Sequence, residues 1–205
     1  MSLLERASAA TLWRDVFTPR LVLLVGLGVF LHSALLALFV SLYNSDGAIW
    51  QLSLTLRQSY AHAWIMAFGL ACWGGAIFTV GLSLRPKSSG ALRPALMFLG
   101  AGMIGLAQWS ASPLPHEPAG SAMECRLHLF FGAVSLLALT RCCASTLTSI
   151  RAHDGRDVLG LCLLAAVVAS ASALLLMPSA RAAAELVLAV TAGLWTVLRL
   201  PEHCN

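Results

Sequence analysis

"SAMECRLHLFFGAVSLLALTR", Ser121 to Arg141, decides the architecture, because it settles whether the chain carries five apolar helices or six. Its charge-free part, Leu127 to Thr140, is only 14 residues long. Crossing the hydrocarbon of a bilayer takes about 20 apolar residues, with a range of roughly 17–25. Ser121 and Glu124, however, have the S-x-x-E spacing of a capping box, in which the two side chains satisfy the first free amides of a helix. A helix capped at Ser121 and running to Arg141 rises about 1.5 Å per residue, or roughly 28–30 Å, which is a full crossing.

Outward from this stretch, the other apolar runs qualify by length. Leu21–Tyr43 has 23 residues without a formal charge, Ala63–Leu84 has 22, Pro94–Ser112 has 19 and Val158–Met177 has 20. Ala182–Leu198 has 17, with one acid, Glu185. The mean hydropathy of the 205-residue chain is +0.81 and 59% of it is hydrophobic, well above the roughly 45–50% apolar content of soluble domains. The sequence therefore predicts an all-α, polytopic integral membrane protein. Residues 1–205 form a single membrane domain, a six-transmembrane-helix bundle with helices over 20–43, 61–84, 94–112, 122–141, 157–177 and 180–199 and an outer loop over 110–121. The lipid bilayer is its first partner.

Loop charges set the orientation. The N-terminus, Arg85–Arg93, Arg141–Arg156 and the C-terminus together hold ten of the 13 Lys and Arg residues; only Arg57, Arg126 and Arg181 fall on the other side. By the positive-inside rule both termini are cytoplasmic (N-in/C-in), as for a multi-pass protein of a bacterial inner membrane. The net charge of +4 is then accounted for by orientation, and no nucleic-acid partner is implied. The first 20 residues carry Glu5, Arg6, Arg14, Asp15 and Arg20 and lack the compact apolar core of a secretory signal, so the first span is expected to act as an uncleaved targeting signal.

Small residues crowd the second and third helices. Ala71 with Gly75 and Ala101 with Gly105 have the small-xxx-small spacing that lets helix backbones approach in lipid. Tight internal packing is the plain reading and a dimer interface the sharper one. Cys142-Cys143 reads as small apolar filler at a helix end, and Trp50, Tyr60, Trp64 and Trp109 as an aromatic belt at the outer boundary.

Candidate chemistry lies on the outer side. Glu124 and His128 are four apart and share a helix face. That spacing suits a general base with its orienting acid, a metal site or a plain hydrogen-bonded strut. His62 starts the second span at a similar height, so His62, Glu124 and His128 are the catalytic candidates, and His62 with His128 the candidate pair for haem or a metal ion. His116 and Glu117 lie in the Pro-rich loop. His32 lies about 12 residues, or roughly 18 Å, beyond Arg20; at that depth an ionisable group is expected to face the bundle interior. No Walker loop, H-E-x-x-H or G-x-S-x-G motif is present.

"LSL" (Leu52–Leu54), "FLGAGMIGLAQWSASPLP" (Phe98–Pro115) and "HLFFG" (His128–Gly132) together give a Gly-rich third helix, a short polar loop with Pro, and a helix opening with His. In this the chain resembles the bacterial and archaeal six-span membrane family called domain of unknown function 998. The resemblance implies the six-span architecture over most of residues 20–200 and matches His128 and Ser53 to that family's helix-4 His and its Ser before helix 2. It departs at Ser112-Pro113, where that family carries Asp-Pro. Three readings follow. The first is an outward-facing pocket of His62, Glu124 and His128, with His32, His116, Glu117, Trp109 and Ser53 as ligand-binding candidates, which binds or processes a lipid-like or small ligand. The second is a structural or assembly subunit, with a homo-oligomer or membrane-complex partner. The third is a bis-His haem or metal protein.

Overall fold

A computed structural model describes residues 19–43, 63–84, 90–109, 120–145, 155–176 and 181–198, and every element among them is helical. The helices are α1 (Pro19–Tyr43), α2 (Ala63–Ser83), α3 (Leu92–Gln108), α4 (Gly120–Ser145), α5 (Gly155–Leu176) and α6 (Arg181–Leu198). Three are long and apolar enough to cross a membrane, through Pro19–Leu36 of α1, Trp64–Ser83 of α2 and Arg126–Ser145 of α4. The apolar parts of the other three are shorter: Leu92–Gln108, Gly160–Ala173 and Val187–Leu198.

The decisive stretch forms the longest helix. α4 has 26 residues, a rise of about 39 Å at 1.5 Å each. It starts at Gly120, not after Ser121, so Ser121 is a residue of its first turn and the expected capping box does not set its start. α3 ends earlier than the expected 112: its last helical residue is Gln108, and Trp109 is extended, with φ −119° and ψ 126°. α3 begins just after Gly90, whose φ of +45° makes the turn into the helix easy for a residue with no Cβ. Pro94 falls in its first turn, where no intrahelical amide is lost.

Each helix packs on its neighbours in the chain and α6 returns to α1, so the six close in sequence order. The α2–α3 contact is the most extensive and the α6–α1 contact the least. Antiparallel pairing is visible in the residue register. Gly26 lies against Ala76, and Ser33 against Gly69; Gly74 lies against Met103, and Gly81 against Leu96; Gly105 lies against Phe131, and Gly102 against Ser135. Trp73 is the hub of the first half. It is fully buried, its ring centroid lies 4.9 Å from that of Phe30, and Gly193 of α6 lies beside its ring. Cys142 and Cys143 are buried in the same apolar core.

The outside of the bundle carries many large apolar side chains. Leu35, Phe39, Leu129, Phe130, Leu137 and Leu176 are all exposed, more greasy surface than a water-soluble monomer carries. Helix hydroxyls are turned inward on their own backbones. Thr79, Thr140 and Ser172 each donate to the carbonyl four residues earlier, which satisfies them where no water is at hand.

Among the described glycines, the closest approach of backbone to backbone joins α2 and α3. A Cβ on Gly100 would lie 2.5 Å from the Gly74 oxygen and 2.6 Å from the Phe78 nitrogen, both backbone atoms that cannot step aside. Gly75, chosen by the small-xxx-small pattern, has nothing within 4 Å of such a Cβ. Gly100→Ala is therefore expected to destabilise the fold by about 1–3 kcal/mol through overpacking. Gly75→Ala should leave stability unchanged or raise it by up to about 1 kcal/mol through helix propensity. Thermal unfolding in detergent compares the two, and equal losses would contradict a backbone contact at Gly100.

Candidate functional site

The site grows from the glycine face of α3. Gly102 and Gly105 leave α3 without side chains where α4 crosses it, and Phe131 and Ser135, four apart on α4, fill the two gaps. Phe131 lies directly on Gly105, with no room for a Cβ between them. One turn further on, Trp109 leaves the helix and lays its indole on the Phe131 ring, with centroids 5.0 Å apart and planes 1° from parallel. Phe130 meets Phe131 edge-on at 5.3 Å and 77°. The stacking accompanies the end of α3 at Gln108.

His128 lies one turn before Phe131 and is 8% exposed. Its Nδ1 is 2.8 Å from the Trp109 carbonyl oxygen. A carbonyl only accepts, so Nδ1 carries the hydrogen and donates. In the neutral ring Nε2 is then the basic nitrogen, the arrangement in which a histidine accepts a proton, a hydrogen bond or a metal. Trp109 is the first residue past α3, where carbonyls lack helical partners, so the same bond also caps that helix. Ser135, deeper on the same face of α4, has a buried hydroxyl with no hydrogen-bond partner among the described residues.

The candidates from the sequence are only partly brought together. Trp109 and His128 are in direct contact, a link the sequence alone did not single out; Gly105 and Phe131, which hold it, stood in the small-xxx-small pair and in HLFFG without being joined to each other. Glu124 is exposed. It shares the helix with His128, one turn nearer the Gly120 end of α4. His32, expected in the interior, is exposed on the outer face of α1; the residue turned inward is Ser33, packed on Gly69. A step of one residue rotates a helix position by about 100°. Trp64, of the expected aromatic belt, is exposed at the start of α2. His62, Ser53, His116, Glu117 and residues 110–119 of the outer loop lie outside the described residues. The haem or metal reading needs His62. Among the described residues no three His, Cys, Asp or Glu side chains gather as a metal site.

No family model, no curated protein and no solved structure matches the chain.

Substitution at His128 separates strut from basic nitrogen. Asparagine places an N–H close to the position of Nδ1 and has nothing in place of Nε2. His128→Ala is expected to cost about 1–3 kcal/mol, since it leaves the Trp109 carbonyl without its donor, and His128→Asn to recover most of that in thermal unfolding. If Asn is as damaging as Ala, the bond to Trp109 does not hold the site.

Proposed function

We propose that this chain is a multi-pass membrane protein whose six helices all cross the bilayer, and that the His128 end forms an outward-facing pocket for a lipid-like or small ligand. The short apolar core of α3 is packed between α2 and α4, both long enough to span, and shares their depth. The excess of Lys and Arg on the loops at the opposite end favours N-in/C-in topology in a bacterial inner membrane. The resemblance to domain of unknown function 998 fits the same architecture.

One observation carries the ligand reading. A nearly buried histidine has its tautomer fixed by a backbone carbonyl, beside a flat wall of stacked Trp109 and Phe131, at the first turn of the apolar window of α4. Nε2 would accept from a hydroxyl or ammonium hydrogen of a ligand head, and the stacked rings would line its apolar body. Glu124, exposed one turn nearer the rim, suits a cationic headgroup. A general-base role of His128 toward a bound hydroxyl would make binding the first step of processing.

A phosphatidylethanolamine carrying a diazirine on its acyl chain tests this in the purified protein. Adducts are expected to concentrate between residues 105 and 131. His128→Asn should lower them roughly fivefold, equivalent to about 1 kcal/mol of binding, with thermal stability retained. Adducts spread evenly over the exposed faces of α1 and α4, and indifferent to His128, would show ordinary lipid contact instead.

A further inference from the structure

The outward placement of His32 gives α1 a second property. α1 is the least covered of the three spanning candidates, with 22% of its apolar window buried. Its inner face, Leu23, Gly26, Phe30 and Ser33, packs on the bundle. The opposite face presents Leu21, Val25, Gly28, His32, Leu35 and Phe39, all exposed. Their spacings are four, three, four, three and four, the seam pattern of two helices packed at a shallow left-handed crossing. Gly28 makes a notch in this seam, since a Cβ there would meet nothing within 4 Å. His32 follows one turn later.

Plain lipid is a poor neighbour for this face. His32 lies 13 residues after Pro19 in a helix of 25, about 20 Å along it and close to its middle. No group among the described residues pairs with its ring. Hydrocarbon offers neither donor nor acceptor, and an unsatisfied polar group there costs free energy.

We propose that the α1 seam is the interface of a parallel homodimer, closed at its centre by a hydrogen bond between the two His32 rings. The choice of a second copy rests on complementarity. A neutral imidazole holds one N–H donor and one basic acceptor, so it pairs with its own kind. Copies of one chain insert with the same orientation, which puts both His32 rings at one depth by construction. An unrelated helix would need its own donor or acceptor at that level. The seam is also its own match about a twofold axis, the usual symmetry of a homodimer, and the Gly28 notch lets the backbones close in beside the rings. This interface is separate from the proposed His128 site, whose residues lie on α4 and at the end of α3.

Photo-crosslinking of the full chain in liposomes decides it. A benzophenone amino acid at Leu35 is expected to give an adduct of twice the chain mass, and the same group at Leu137, exposed on α4, none. His32→Leu should weaken dimerisation roughly threefold to tenfold, the scale of a single polar contact between membrane helices. Gly28→Leu, which fills the notch, should weaken it at least as much. Because both positions are exposed, the thermal stability of the monomer should not change; should either variant misfold, the Leu35 and Leu137 crosslinks still decide. A Leu35 adduct with a different protein, with lipid only, or no more frequent than at Leu137, overturns the proposal.

Discussion

Helices in hydrocarbon gain little from hiding apolar surface, because lipid tails are as apolar as leucine; what holds them is close contact. In this chain the contact depends on α3. It is the shortest helix and is bare on two sides, with Gly100 against the backbone of α2 and Gly102 and Gly105 against α4. Everything at the His128 end follows from that. Phe131 can lie flat beneath Trp109 only because Gly105 has no side chain, and the Trp109 carbonyl meets His128 only because Trp109 has turned out of the helix to reach Phe131.

Much of the helical layout was legible in the chain because length and charge are sufficient signals for it. A run of 23 uncharged apolar residues has few other fates. Helix ends were less so. The apolar run extends to 112, but α3 ends at Gln108, where Trp109 turns out and stacks on a ring of a neighbouring helix. No local rule contains that ring. The phase of a helix was harder still. α1 is apolar all round, so its pattern could not say that Ser33 points in and His32 out.

The glycines make the same point. The density of small residues marked α2 and α3 as helices that pack closely, but the four-residue spacing chose Gly75, which faces open space, beside Gly105, which lies on Phe131, and left Gly74 and Gly100, which touch, outside its pairs. Small-xxx-small spacing identifies residues that share a face; it does not say which neighbour that face meets. Likewise Glu124 and His128 share a face by spacing, but one is exposed and the other buried. The polar rim was legible as a place. The bond that organises it was not, because Trp109 and His128 are 19 residues apart.

In the proposed orientation the His128 end of the bundle opens to the cell exterior. Cysteines introduced as Ser112→Cys and Ser88→Cys, each in a chain with its six natural cysteines replaced by Ser or Ala, test it through a thiol reagent that cannot cross the membrane, added to intact cells. Position 112 is expected to label at once and position 88 only after the cells are broken open. Labelling of position 88 on intact cells, with 112 protected, would contradict the orientation and with it an outward-facing pocket.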